Sequence, residues 1–312
     1  SFTSYPIGVY KDKVDAYLDT MEKEMEYIAE SYTEKKLASI YIGGGTPSSI
    51  SAEQMDRLCS MIEKHFDLSQ VREYTIEAGR PDSTTADKLQ VMKAHGVDRI
   101  SINPQTMNGE TLKLIGRAHT PEQAEEAFMR AREAGFDNIN MDLIVGLPGE
   151  DAEMVKRTLE KVKKLAPESL TVHTLAIKRA AHLKQEMDKY SFAGDVDEQL
   201  SLVGQAAEEL GLAPYYLYRQ KNMAGNLENV GYARHGLECL YNILIMEERT
   251  DIIGIGAGSS SKLIRREGDL DPVTGETVIG NRIDRVENCK SVDDYIARID
   301  EMIDRKKQAF AK

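Results

Sequence analysis

The chain alternates between two hydrophobic periods. From Lys11 to Tyr32 the apolar positions Val14, Leu18, Met21, Met25, Ile28 and Tyr32 recur four and three residues apart, which places them on one face of a long amphipathic helix. Short apolar runs follow, each ended by glycine or polar residues and succeeded by a helical pattern. Strands are expected over 38–42, 74–78, 97–102, 138–145 and 169–175, with helices over 52–66, 86–95 and near 110–115. Ser51 and Gln54 form a capping box. Thr120, Pro121 and Gln123 give a capped start to a further helix, which carries Ala124, Ala127, Phe128 and Ala131 and stops at Gly135. Met154, Val155, Leu159, Val162 and Leu165 mark another. Five strand–helix units with short connections imply an α/β fold whose parallel sheet curls as a barrel.

Beyond Ala176 the pattern changes. A capped helix over 196–210 precedes three aromatic or apolar runs, YYLYRQ, CLYNILI and IIGIGAG, that read as short strands. A turn-centred hairpin is expected over 271–278 and a capped terminal helix over 291–303. This suggests two domains, residues 1–190 and a smaller mixed α+β region over 191–312.

A net charge of −12 argues against a nucleic-acid surface. No apolar run approaches membrane-spanning length and no signal segment opens the chain, so a cytoplasmic protein is expected. Cys59, Cys239 and Cys289 lie far apart and suit reduced, buried thiols.

Candidate chemistry begins at SIYIGGGTPS, residues 39–48. Three glycines after a strand leave backbone N–H groups free to lie against a ligand, although a tight turn reads the same way. In a parallel barrel the chemistry gathers at the C-terminal strand ends. In order, these are Gly43, Gly44, Gly45 and Thr46; Glu77; Asn103 and Gln105; Asp142 and Gly146; and His173, Thr174 and Lys178. Such a set suits a ligand with hydroxyl and amino groups. Asp142 sits in an apolar strand and requires a ligand or a donor such as Arg117. Glu77 has the alternative of an ion pair with Arg80 or Arg99. His173 reads equally as a core histidine, and Lys178, Arg179 and Lys184 as a solvated face. On the residues alone, the generic alternative is a barrel enzyme binding a phosphorylated sugar at the glycine loop.

Taken in order, IYIGGGTPS, TIEAGRP, DRISINPQTMN, GRAHT and NMDLIVGLPGE resemble the radical S-adenosylmethionine family of oxygen-independent coproporphyrinogen III oxidases. YYLYRQKNMAGNLENVGYA and IIGIGAGSSS resemble its C-terminal region, most of all the HemZ-type branch. The resemblance implies a three-quarter TIM-like (β/α)6 barrel followed by a smaller C-terminal domain. It implies that Gly44, Gly45 and Thr46 hold the methionine end of S-adenosylmethionine. Glu77, Gln105, Arg117 and Asp142 would hold its amino, carboxylate and ribose groups, and Gly146 and Leu147 would lie by the adenine. The implied reaction decarboxylates two propionates of coproporphyrinogen III to give protoporphyrinogen IX in haem biosynthesis, using a [4Fe-4S] cluster and an external electron donor. The substrate's four carboxylates call for cations, and Lys178, Arg179, Arg219 and Lys221 are the candidates. The family's CxxxCxxC loop is absent from these 312 residues. The resemblance places it, with the first strand, upstream of Ser1, so that the chain as given would be inactive. Relatives with nearly the same motifs act as haem chaperones without oxidase activity, which is the competing expectation.

Overall fold

The computed structural model describes residues 10–31, 36–175, 195–218, 229–272 and 274–310. The expected helices are present as α1 (Val14–Ser31), α2 (Ala52–His65), α3 (Ala86–Ala94), α4 (Gly109–Leu114), α5 (Pro121–Glu133), α6 (Ala152–Leu165) and α7 (Val196–Glu209). Both capping boxes form, Ser51 with Gln54 and Thr120 with Gln123. By contacts the chain divides into two units, with residues 39–55 and 73–239 in the first and 5–38, 56–72 and 240–312 in the second.

The first unit is a curled sheet with helices along it. Strands β1 (Ser39–Ile42), β2 (Glu73–Gly79), β3 (Arg99–Gln105), β4 (Ile139–Val145) and β5 (Ser169–Thr174) run parallel in that order. Two antiparallel strands extend it, β7 (Asn229–Ala233) beside β5 and β6 (Ala213–Tyr218) beside β7. Thus α7, β6 and β7 belong with the barrel-like unit, although they lie beyond the boundary expected at 190.

Side chains alternate across each strand, and here the two faces differ in kind. Ile76, Ile100, Ile102, Ile139, Met141, Leu170 and Val172 form one buried apolar face. The opposite face is polar. In register it sets Thr75 beside Arg99, Glu77 beside Ser101, Ser101 beside Asn140, Asn140 beside Ser169, and Asp142 beside Thr171. A closed barrel of this type fills its interior with branched apolar residues. This sheet instead carries hydroxyls, amides and charges along its inner wall.

The second unit holds α1 with α8 (Leu240–Glu247), the antiparallel pair β8 (Ser260–Arg265) and β9 (Arg282–Glu287), α9 (Val292–Ala297) and α10 (Ile299–Phe310). Tyr295, Ile299, Met302 and Ile303 pack with Tyr17, Met21 and Tyr27. Among them lies a fully buried ion pair, with Lys306 Nζ 2.5 Å from Glu24 Oε1. The same carboxylate accepts from Asn288 Nδ2 at 2.8 Å, from the Gly256 N–H at 2.9 Å and from the Tyr295 hydroxyl.

Several C-terminal expectations are corrected. CLYNILI is helical, as α8, because an unbroken apolar run carries no period that separates helix from strand. IIGIGAG is a loop with a single bridge, Ile252 to Lys262. Its Gly256 and Gly258 take positive φ, 93° and 73°, which a strand does not accommodate. The strands are β8 and β9, whose charged residues hid them. The terminal helix is interrupted at Arg298 and continues to Phe310. Cys59 and Cys239 are buried and free, whereas Cys289 is only half-buried. No helix among the described residues is long and apolar enough to cross a membrane.

Candidate functional site

At the end of β1 the chain enters Gly43, Gly44 and Gly45, all exposed. Gly44 and Gly45 adopt φ of 84° and 60°, and a Cβ on either would meet nothing within 4 Å. They therefore form an open cradle in a backbone shape that glycine favours. Gly43 is different. A Cβ there would strike the Tyr41 ring and stand 2.8 Å from Glu77 Oε1. The loop thus lies directly against a pair in which the Tyr41 hydroxyl donates to Glu77 Oε1. Desolvation raises the Glu77 pKa. Tyr41 opposes, Asp142 adds to the rise, and the Gly44 N–H and Arg99 oppose, leaving a net upward shift. Burial, then the adjacent Glu77 charge, pushes the Tyr41 phenol well above its ordinary value. Thr46 leads into a 3-10 turn over Pro47–Ser49, pinned where Ser48 Oγ donates to the Ala78 carbonyl at 2.5 Å.

Asp142 rises from the inner wall of β4. Its Oδ1 accepts from Asn140 Nδ2 at 2.7 Å, and its Oδ2 lies 4.0 Å from His173 Nε2. Asn140 is thus the donor that the sequence reading sought in Arg117. An i, i+2 pair of polar residues in an otherwise apolar strand was the available signal. Arg117 is exposed as a residue, yet desolvation of its guanidinium lowers its pKa, with Arg80 adding to that and Asp142 opposing. Glu77 makes neither expected arginine pair, because Arg80 binds Asp82 and Arg99 Nη2 donates to Ser169 Oγ at 3.1 Å.

Gln105 stands at a register irregularity with φ 68°, is buried, and borders a small cavity of about 10 Å³ with Leu143, Val145 and Val155. Gly146, with φ 75°, and the buried Leu147 begin the loop after β4. That loop is clamped by the fully buried Gln199 of α7. Gln199 Oε1 accepts from the Gly146 N–H at 2.8 Å, and its Nε2 donates to the Glu150 carbonyl at 3.1 Å. Nothing in the sequence linked residue 199 to residue 146. The Glu150 carboxylate accepts from Thr106 Oγ1 at 2.6 Å and Asn108 Nδ2 at 2.9 Å, anchoring the loop's far end. Lys178, Arg179, Arg219 and Lys221 lie outside the described residues.

Glu77 therefore lies against the glycine loop and is electrostatically coupled to Asp142, whose charge also acts on Arg117. The set offers acceptors, backbone donors and one cation, which suits a zwitterionic ligand bearing hydroxyls. Residues 5–162 match the profile of the Radical SAM superfamily. The chain belongs to that superfamily. Within it, the chain is 48% identical over 272 residues to the oxygen-independent coproporphyrinogen-III oxidase-like protein HemZ of Bacillus subtilis, covering 86% of this chain and 54% of that one. It is 33% identical over 262 residues to the heme chaperone HemW of Lactococcus lactis, covering 83% and 65%. Identity to the oxygen-independent coproporphyrinogen III oxidase of Escherichia coli is 27% over 253 residues, covering 80% and 55%. The solved E. coli coproporphyrinogen III oxidase HemN shares the fold, with a TM-score of 0.70 at 22% identity, covering 93% of this chain and 63% of that one. The chain thus spans between about half and two thirds of these relatives.

Radical SAM membership implies S-adenosylmethionine and a [4Fe-4S] cluster. The cradle and its charged neighbours fit the first. The cluster finds no fit in these 312 residues, which hold three dispersed cysteines and no CxxxCxxC. Among the described residues no group of three or more His, Cys, Asp or Glu side chains could hold a metal.

Proposed function

We propose that this chain forms the S-adenosylmethionine-binding and substrate-facing part of an oxygen-independent coproporphyrinogen III oxidase. The observation carrying this is the Gly44–Gly45 cradle set against Glu77 and Asp142 on the polar wall. In this reading Gly44, Gly45 and Thr46 take the methionine end, and Glu77, Gln105, Arg117 and Asp142 take the amino, carboxylate and ribose groups. Gly146 and Leu147, held by Gln199, lie by the adenine. S-adenosylmethionine supplies hydrogen-atom abstraction when bound in such enzymes. The residues of this chain bind and orient it, and Tyr41 fixes the Glu77 carboxylate beside the cradle. Lys178, Arg179, Arg219 and Lys221 take the propionates of the porphyrinogen, and an external electron donor and a cytoplasmic setting complete the reading. In this assignment the cofactor domain proposed for residues 1–190 is extended by α7, β6 and β7, and the rest of 191–312 forms the C-terminal domain.

A second reading is a haem chaperone without oxidase activity, favoured by the 33% identity to HemW. Calorimetric titration of the 312-residue protein with S-adenosylhomocysteine tests the shared part. Saturable binding that Asp142→Ala abolishes is expected, and no binding overturns the cofactor assignment. The substrate is decided on a chain extended upstream by a CxxxCxxC segment and reconstituted with iron and sulfide without oxygen. Deoxyadenosine rising with coproporphyrinogen III, with protoporphyrinogen formed, supports the oxidase. Cleavage that leaves coproporphyrinogen untouched, with tight haem binding, supports the chaperone.

A further inference from the structure

Strand β4 carries two polar residues, Asn140 and Asp142, on the same inner wall. Asn140 is 3% exposed, so its amide must find partners within the protein. It finds them on three adjacent strands. Nδ2 donates to Ser101 Oγ on β3 at 2.9 Å and to Asp142 Oδ1 on its own strand at 2.7 Å. Oδ1 accepts from Thr171 Oγ1 on β5 at 3.1 Å.

The chemistry of these partners fixes which way the amide points. The Ser101 hydroxyl sends its own hydrogen to Asn103 Oδ1 at 2.8 Å, so toward Asn140 it acts as an acceptor. The Asp142 carboxylate accepts as well. Both therefore require the NH2 side, which leaves the carbonyl side for the Thr171 hydroxyl. A flipped amide would set oxygen against two acceptors. Only asparagine combines two donors and an acceptor at this length: leucine provides none, and aspartate would place a second carboxylate against Asp142.

We propose that Asn140 is a positioning residue for the cofactor. It fixes the plane of the Asp142 carboxylate, so that Oδ2 and the remaining lone pair of Oδ1 face the ligand in one orientation. This rests on the reading that Asp142 binds S-adenosylmethionine. The consequence is preorganisation, because a carboxylate already held by Asn140 loses less rotational freedom when ligand donors arrive.

The test is calorimetric titration of the 312-residue protein with S-adenosylhomocysteine from about pH 5 to 8. The titratable or charged groups around Asn140 and Asp142 are Tyr41 on β1, Glu77 on β2, Arg99 on β3, whose guanidinium reaches Ser169 opposite Asn140, His173 on β5 and Arg117 after α4. They are common to every variant, so the variant-to-wild-type affinity ratio isolates position 140. Asn140→Leu should weaken binding by roughly tenfold at every pH, as expected for a lost hydrogen bond to a charged group. Asn140→Asp should weaken it further at pH 8 and recover as pH falls, because two adjacent carboxylates then share a proton. Thr171→Val, which releases only the amide oxygen, should cost about threefold.

Failure of wild type to bind removes the cofactor reading itself and with it this proposal. If wild type binds and the Asn140 variants match it, the positioning role is wrong. Equal losses in Asn140→Leu and Asn140→Asp with no pH dependence indicate a merely structural residue and also overturn it. If neither Asn140 variant folds by circular dichroism, Thr171→Val decides: a threefold loss supports the role, and unchanged affinity refutes it.

Discussion

Replacing Gly43 by alanine makes the sharpest test of the glycine loop. The backbone at 43 is not in the left-handed region, so the substitution brings no φ strain of its own. The added methyl instead collides with the Tyr41 ring and stands 2.8 Å from Glu77 Oε1. Relief requires the ring to leave its rotamer, at roughly 0.5–1.5 kcal/mol, and breaks the bond from the Tyr41 hydroxyl to Glu77. That bond holds Glu77 beside the cradle, so once it is broken the ligand must restore the carboxylate's position; this takes up to about 1.5–3 kcal/mol from binding, and affinity for S-adenosylhomocysteine should fall by up to roughly ten- to hundredfold. Gly44→Ala is the informative contrast. There the methyl has open space but φ is 84°, at a cost of about 1–2 kcal/mol that free and bound protein share. It should lower the melting temperature while changing affinity little. Adding Tyr41→Ala to Gly43→Ala removes the ring being struck, so the two losses should be strongly non-additive. The assays are calorimetry and thermal melting on each variant. If Gly43→Ala binds within twofold of wild type while Gly44→Ala does not, the steric argument is refuted.

Because Glu77 has a raised pKa when folded, its contribution is most favourable at low pH and is lost as pH rises through that folded value. Glu77→Gln should therefore raise the melting temperature at pH 8 while weakening ligand binding. The stability gain should vanish below the ordinary glutamate value of 4.5, and a gain that persists there contradicts the assignment. Lys306→Met leaves the Glu24 carboxylate buried without its cation and should cost about 3–5 kcal/mol in urea unfolding. Glu24→Leu with Lys306→Met removes the unpaired charge but strands the Gly256 N–H, the Asn288 amide and the Tyr295 hydroxyl, so it should recover little of that. A single-mutant cost below about 1 kcal/mol would sink the idea. Gln199→Leu strands the Gly146 N–H and the Glu150 carbonyl, with an expected loss of about 1–3 kcal/mol. Amide exchange at Gly146 should quicken, and unchanged exchange would show that the clamp is not what holds the loop.

Legibility followed the range of the interactions. The five parallel strands and their helices were readable because each is marked by local period, a cap or a terminating glycine, as Thr120, Pro121 and Gly135 mark α5. Polar residues at strand ends were also visible, since strand order in a parallel sheet brings those ends to one rim. The contacts among them were not. For Asp142 the protein donor named from the sequence was Arg117, whereas the structure supplies Asn140, two residues away on the same strand. Gln199 lies 53 residues from Gly146, and only the packing of α7 on the sheet brings them together. In the second unit the charged strands β8 and β9 lacked an apolar alternation, and α8 lacked a helical one. The closing contacts there, such as Lys306 with Glu24, span most of the chain and leave no local trace.

The polar inner wall has a further consequence, for how readily the site can change. Core substitutions are costly because apolar neighbours are close-packed. On this sheet that constraint falls on the Ile76, Ile100, Ile139 and Leu170 face, which is buried beneath helices. Several hydroxyls and amides of the facing row are tied together between strands, so replacing one, as at Asn140, disturbs its hydrogen-bonded neighbours and leaves the apolar face untouched. A fold that separates its two duties onto opposite faces of the same strands can exchange ligand-facing residues while the apolar core stays intact. Specificity can then drift between clients that differ in charge and hydroxyl pattern, with the scaffold left as it is.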